Sequence, residues 1–393
     1  MAIGPQIYHT GKMRLSISIA LTVVAAAGLF APIGAQTGDV LIYIGTYTQH
    51  SGKGIYAWKY QGAPSRPVAR GIAADTSNPS FLVIHPNRRY LYAVNEDNLF
   101  QGRPSGAVSA YAIDPANSHL TLINQVATHS TGPCHLALDR TAHWLFTANY
   151  AGGSVTECPV LADGSLGENT AFLQHRGSSV NHERQASPHP HQVVLSPDNR
   201  FLLVPDLGLD EVLSYRLDAA KGALTPAAPP FTKVAAGSGP RHLVFHPNGK
   251  IVYLISEMAA TVGVYSYDAD RGHLDALLQT ISTLSADYNG PKSGAEIAVS
   301  PDGKFLYASN RGDDSIAAFA IDPETGTLTK IDYTPTGGKT PRYFGIDPTG
   351  NFLFAANQDS DNVVLFRRSI DTGKLTATGA TLEVPNPACV VFR

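Results

Sequence analysis

Seven ionisable side chains stand at matching places in a recurring pattern: His191, Arg241, His242, Glu257, Glu296, Arg311 and Arg342. Gathered in one cleft, such a set can bind an anionic substrate through its guanidiniums and hold a general base on His or Glu. The element that must position them is clearest in Gly239–Glu257, GPRHLVFHPNGKIVYLISE, where two short apolar runs flank a Pro-Asn-Gly-Lys turn. Asn248-Gly249 between apolar runs predicts a tight β-hairpin, because both residues accept positive φ. Such a hairpin brings its open ends together. Arg241 then lies beside Ser256, with His242 and Glu257 close by.

The same pattern recurs as NPSFLVIHPNRRYLYAVNE from Asn78, GPCHLALDRTAHWLFTANY from Gly132 and PHQVVLSPDNRFLLVPDL from Pro190. It returns as GAEIAVSPDGKFLYASNR from Gly294 and PRYFGIDPTGNFLFAANQ from Pro341. A period of about fifty residues is a signal of repeat architecture. A third run and usually a fourth follow each hairpin, as in Gly106–Ile113 with Leu120–Val126 and Thr261–Tyr267 with Leu274–Ile281. Four short antiparallel strands per repeat describe a propeller blade. The first strands are apolar without alternation, as blades covered on both faces require. Val40–Thr48 matches a second strand with no first strand before it, and Asn386–Phe392 matches a first strand with no second after it. Together they make a seventh blade, so the expected fold is an all-β, seven-bladed propeller over residues 39–393, closed by pairing of its terminal strands. Closure removes exposed strand edges, and deleting residues 386–393 is expected to unfold the ring.

In that fold every first-strand entry and every second-strand end share one rim. The entries are Ser80, Cys134, His191, Arg241, Ala295, Arg342 and Ala388, followed by Phe81, His135, Gln192, His242, Glu296, Tyr343 and Cys389. The second strands end at Thr46-Tyr47, Asn95-Glu96, Asn149-Tyr150, Asp206-Leu207, Ser256-Glu257, Asn310-Arg311 and Asn357-Gln358. Asn95, Asn149, Asn310 and Asn357 read as turn and cap residues. Each charged departure also has a structural reading. Arg241 and Arg342 could tie blades together, Glu257 and Glu296 could be their partners, and His135 and His242 could be packing residues. His85 and His246 fall at the opposite end of their hairpins and read as structural. The polar segment His175–His191, HRGSSVNHERQASPHPH, is too long for a simple turn, and loops of this kind are often functional.

Composition narrows the function. The chain has 393 residues, 43% hydrophobic and 16% charged, with 36 Gly and 27 Pro, which suits many short strands. A net charge of −3 supplies no basic field for nucleic acid or an anionic membrane. Lys12 and Arg14 precede the apolar run Leu15–Phe30, and Ile33-Gly34-Ala35 offers a cleavage point, so residues 1–35 read as an export signal, with a retained anchor as the rival. Met13 is an alternative start. Cys134, Cys158 and Cys389 are too few and odd in number for a disulfide framework and read as buried thiols. No G-x-S-x-G elbow, H-E-x-x-H helix or Walker loop is present, and Gly52–Ala57 only mimics a dinucleotide fingerprint. His175, His182, Glu183, His189 and His191 lack a standard zinc spacing, so neither metal nor cofactor is expected.

The in-order segments Ile44–Thr48, GPCHL at 132–136, DGSLGE at 163–168, DLGLDEVLSYR at 206–216, GPRHLVFHPNG at 239–249 and GKTPRYFGIDPTGNFLFAANQ at 338–358 resemble the seven-bladed propeller lactonases. That family is the bacterial 6-phosphogluconolactonase type, related to fungal carboxy-cis,cis-muconate cyclase. The resemblance implies an active mouth containing His191, Arg241, His242, Glu257, Glu296 and Arg311, lined by Arg342 and Gln358. It also implies metal-independent hydrolysis of a sugar lactone, with a carboxymuconate-type cyclase or a ligand- or protein-binding envelope propeller as alternatives. In the lactonase reading Glu257 or His191 takes a proton from water, and Arg241 and His242 face the carbonyl oxygen. Arg311 and Arg342 hold a phosphate or carboxylate, Glu296 orients an Arg, and His135 joins the binding wall. Glu257→Gln is then expected to abolish turnover with the melting temperature unchanged. The expected partner is a small anionic sugar lactone, and the expected state is an exported monomer or weak dimer, free of the membrane after cleavage.

Overall fold

The computed structural model describes residues 1, 40–49, 51–60 and 66–393. The expected export signal lies outside the described residues. From Val40 onward the chain forms seven four-stranded antiparallel sheets. In order, their second strands are Val40–Thr46, Tyr90–Asn95, Trp144–Asn149, Phe201–Asp206, Ile251–Ser256, Phe305–Asn310 and Phe352–Asn357. We number the blades 1 to 7 in that order. A fourth strand completes every blade, including Ala171–Gln174, Ala223–Lys233 and Leu375–Glu383, whose weak apolar patterns hide them in the sequence.

The ring closes as the end fragments require. Pro387–Phe392 is the innermost strand of blade 1 and pairs antiparallel with Val40–Thr46, Val390 opposite Ile44 and Cys389 opposite Gly45. Second strands such as Ile251–Ser256 and Phe352–Asn357 are buried along their whole length, as strands covered on both faces must be. Inner strands are buried for four residues and then open. Pro133–Leu138, Pro240–Phe245, Gly294–Val299 and Pro387–Phe392 all end in two half-buried residues at the turn end of the axis.

The hydrophobic core is divided among the blade interfaces. Tyr253 and Ile255 of blade 5 pack on Leu306 and Phe319 of blade 6, and Ile42 and Ile44 of blade 1 pack on Phe354 and Val363 of blade 7. A hydrogen bond accompanies several interfaces: the hydroxyls of Tyr92, Tyr253 and Tyr307 donate to the carbonyls of Gly164, Gly326 and Gly373 in the next blade. Gly373 takes φ +71°, and a Cβ there would stand 2.4 Å from Phe305, so only glycine lets that turn approach the neighbouring ring.

The hairpin turn differs in detail from the sequence expectation. Gly249 N–H donates to His246 C=O at 2.9 Å, and Gly249 alone has positive φ, +70°. Asn248 instead accepts the Lys250 N–H at 2.9 Å through its side chain, stabilising a turn longer by several residues than a two-residue loop. His246 Nε2–H donates to Gly303 O, 3.0 Å away in blade 6, and so is structural as expected. Asn95, Asn310 and Asn357 are buried and donate to Ser77 O, Thr283 O and Thr336 O, tying each second-strand end to the loop entering its blade. The three cysteines are free and buried.

Candidate active site

A recurring irregularity aims the entry residues. The inner and second strands pair in register until Pro240 opposite Ser256 and His242 opposite Ile255, leaving Arg241 as an extra residue. The same slip leaves Cys134 between Pro133 and His135, and Arg342 between Pro341 and Tyr343. A β-bulge bends the strand and re-aims its side chain. It therefore turns consecutive residues towards the axis at two depths.

The upper layer surrounds a cavity of about 360 Å³, whose wall includes His191, Arg184, Glu257, Arg311, Arg342 and Gln358. Tyr47, Glu96, Cys134 and Tyr150 complete the inner wall. The lower layer is a plug. Phe81 packs against His135 with ring centroids 4.0 Å apart, and His135 lies 5.4 Å from His242. His242 Nδ1 meets Glu296 Oε2 at 3.0 Å. Arg241, His242, Glu296 and His135, expected at the mouth, are all buried and are not among the residues that line this cavity. Arg241 Nη1 donates to Ala295 O at 2.6 Å, its side chain nearly inaccessible.

Glu257 is the electrostatic hub. Its Oε2 lies 2.7 Å from Arg311 Nη2 and 3.2 Å from Arg241 Nε, and its Oε1 accepts from Arg184 Nη2 at 2.6 Å. The Arg241 contact is coulombic, since its Nε makes no aligned hydrogen bond. Burial raises the Glu257 carboxyl, but Arg311, Arg241 and Arg184 outweigh it and hold the pKa at about 2. Burial, with Arg311 and Arg342 nearby, lowers Arg241 to about 10, which leaves it charged at neutral pH.

His191 has the opposite environment. It is 5% exposed, and burial followed by the repulsion of Arg241 and His242 keeps its imidazole well below the usual histidine range. Cys134 Sγ lies 4.0 Å from its Nδ1. The ring sits edge-on to Tyr150, centroids 5.5 Å apart. His191 is neutral at pH 7. Burial likewise pushes Cys134 up, so it stays a thiol. Opposite, Arg342 lies over the Tyr47 ring at 5.2 Å, and the Tyr47 hydroxyl donates to Glu96 Oε2 at 2.8 Å. Ser80 Oγ donates to the same carboxylate oxygen.

Arg184 has no counterpart among the expected site residues. It comes from the His175–His191 segment, which is bound down at several points. His175 Nδ1 meets buried Asp206 Oδ2 at 2.7 Å, Ser179 Oγ donates to Asp210 Oδ2 at 2.5 Å, and Gln185 Nε2 donates to Leu207 O at 2.8 Å. Arg184 also reaches the Tyr150 hydroxyl at 3.4 Å, while His189 stacks on the Tyr150 ring at 4.5 Å. The composition and length of this segment marked it as functional. Which of its side chains turns inward depends on these tertiary bonds and has no sequence signature. His175, His182, Glu183 and His189 do not gather as ligands, and among the described residues no group of three His, Cys, Asp or Glu side chains could hold a metal.

Three guanidiniums thus face a carboxylate they more than neutralise, beside a neutral imidazole open to a sugar-sized cavity. The chain is similar to known proteins over most of its length. The 6-phosphogluconolactonase of Bacillus subtilis is 35% identical over 350 residues, covering 89% of this chain and 97% of the relative. That of Formosa agariphila is 36% identical over 312 residues, covering 77% and 84%. The solved structure of the periplasmic gluconolactonase of Pseudomonas aeruginosa aligns with TM-score 0.85 at 36% identity, covering 90% of this chain and 99% of that one. With its seven blades and a match to the lactonase, 7-bladed beta-propeller family over residues 41–392, the chain belongs to that family.

Proposed function

We propose that the protein hydrolyses an anionic or polyhydroxylated sugar lactone in the axial cavity, with His191 as general base. The observation that carries this reading is the pairing of a neutral, cavity-lining imidazole with an excess of guanidinium charge. A neutral His can take a proton from water. Glu257, held near 2 by its three arginines, is too weak a base and serves to position Arg311 and Arg184. His191 draws one proton from the attacking water as its oxygen bonds to the lactone carbon. Arg311 and Arg184 then stabilise the oxyanion, where each preorganised donor contributes on the order of 3 kcal/mol. As the acyl–oxygen bond breaks, the imidazolium returns its proton to the ring oxygen. Arg342, backed by Tyr47 and flanked by Gln358, holds the phosphate or carboxylate of the substrate, or its hydroxyls. The relatives named 6-phosphogluconolactonase and gluconolactonase support the substrate class.

The sequence signal and the periplasmic relative favour an exported enzyme. One experiment tests activity and compartment together. Proton release is measured with gluconolactone and 6-phosphogluconolactone, using the osmotic-shock fraction and the cytosol of cells expressing the full chain. Lactone opening concentrated in the shock fraction is expected. Activity confined to the cytosol would overturn export, and no release from any lactone would leave a binding propeller.

A further inference from the structure

A second cavity lies between blades 1 and 2, apart from the mouth. It measures about 700 Å³, within the usual range of about 300–1,000 Å³ for ligand sites. Blade 1 supplies Asp75, at the end of its outermost strand Val68–Asp75, and blade 2 supplies Tyr111, Leu122 and Gln125 from its third and fourth strands. Much of the remaining wall is an enlarged loop. The second and third strands are joined by residues 96–106 in blade 2, against 150–153 in blade 3, 257–260 in blade 5 and 358–361 in blade 7. The loop closes on itself: Phe100 and Arg103 exchange backbone hydrogen bonds of 3.0 and 3.1 Å around Gln101-Gly102, both at positive φ. Asp97 ties its base down, accepting at Oδ1 from Ser77 Oγ at 3.0 Å and from Asn78 Nδ2 at 2.7 Å.

The chemistry of this wall differs from that of the mouth. No Lys or Arg lines it, and Asp75 and Asp97 give it negative charge. Leu99 and Leu122 are 69% and 50% exposed there, an apolar surface rimmed by polar groups. Several of those polar groups have bonding capacity left over. Asn98 and Gln101 make no side-chain hydrogen bond, and Gln125 donates to Ser109 Oγ at 2.8 Å while its Oε1 stays unpaired. Tyr111 is only 3% exposed, yet its hydroxyl has no partner in the protein. Those of Tyr92, Tyr253 and Tyr307 all bond to a neighbouring blade. A nearly buried phenol in the wall of a cavity, left without a partner, is satisfied by what enters that cavity.

We propose that this groove binds an uncharged sugar, at a site separate from the mouth. A pyranose ring presents C–H faces that pack on Leu99, Phe100 and Leu122. Its hydroxyls donate to Asp75, Asp97 and Gln125 Oε1 and accept from Tyr111, Asn98 and Gln101, the bonds to the carboxylates being the stronger ones. Asp97 Oδ2 is free for this, because both anchoring bonds go to Oδ1. A sugar acid meets two carboxylates and no cation, so the groove rejects the kind of molecule that lactone opening yields. Asn95 and Asp97 line the groove while Glu96 between them lines the mouth, so the two sites share a wall. Sugar binding here does not depend on the chemistry at His191.

The probe is methyl β-glucoside, with methyl β-glucuronide, the same ring carrying a carboxylate, as control. Each is titrated into the full chain, isotope-labelled at its leucine methyls, and followed by nuclear magnetic resonance. Saturable shifts at Leu99 and Leu122 are expected with the glucoside and not with the glucuronide. Tyr111→Phe should keep the wild-type Tm, since the lost hydroxyl makes no protein bond, and weaken binding by about three- to tenfold. Leu99→Ala, on the exposed loop, should weaken it by a similar factor read at Leu122, and serves as the test if Tyr111→Phe does not fold. No shift with the glucoside, equal or larger shifts with the glucuronide, or an affinity unchanged in the folded variants would overturn the site. None of these results bears on lactone opening at the mouth.

Discussion

Glu257→Gln should both slow turnover and loosen the fold. The substitution leaves Arg241, Arg311 and Arg184 facing one another without their shared counter-charge, and Arg241 has no solvent to retreat into. Removing one partner of a buried ion pair costs about 3–5 kcal/mol, because the remaining charge stays buried and unpaired. For a chain of this size that lowers Tm by roughly 5–10 °C. Displacing Arg311 and Arg184 from the oxyanion position should reduce kcat about 10²-fold, with partial return in Glu257→Asp. Calorimetry and initial rates on the two variants check both parts; an unchanged Tm would remove Glu257 from its place as hub. The same carboxylate sets an acid limit. Its pKa is about 2 in the fold against an ordinary 4.5, so its contribution is fully present above 4.5 and lost as pH falls towards 2. On the order of 3 kcal/mol is at stake. Glu296 works in the opposite sense: raised to about 8, it costs stability progressively as pH climbs from 4.5 to 8.

Deleting residues 386–393 should abolish cooperative folding. The deletion strips the innermost strand from blade 1, leaving the Ile42–Thr46 edge unpaired on the axis. It also removes Val390 from the cluster between blades 7 and 1 and Cys389 from the cluster between blades 1 and 2. Two of the seven interfaces open at once, and a ring that cannot close exposes a strand edge and apolar surface to aggregation. Circular dichroism with heating should show no sharp transition, and the product should be insoluble. A single transition at the wild-type temperature would contradict closure by this strand.

The terminal fragments allowed that closure to be read from sequence, since an orphan second strand at Val40 and an orphan first strand at Asn386 fit one blade. Repetition made the ring legible for the same reason: each copy confirms the others. Depth was not legible. The hairpin argument correctly brought Arg241, His242 and Glu257 to one rim, but the bulge at Arg241 separates consecutive entry residues into a cavity wall and a plug. Ladder register, which sequence does not display, decides which layer each joins. Arg184 stayed hidden because its direction comes from the His175–Asp206 and Gln185–Leu207 contacts. The choice between Glu257 and His191 as base also needed coordinates, because three guanidiniums act on each group and only Glu257 is in direct contact with its three. Asn248-Gly249 announced a turn correctly, yet its flanking proline and lysine extend the loop beyond a two-residue connection.

The central claim is that chemistry occurs at His191, in the cavity walled by Arg184, Arg311 and Arg342. Its most direct test is the rate of proton release from a sugar lactone by His191→Asn, beside wild type and with melting curves for both. The account predicts a fall in kcat of about 10²–10⁴-fold with Tm held within a few degrees. A folded His191→Asn enzyme that opens the lactone at the wild-type rate would contradict it.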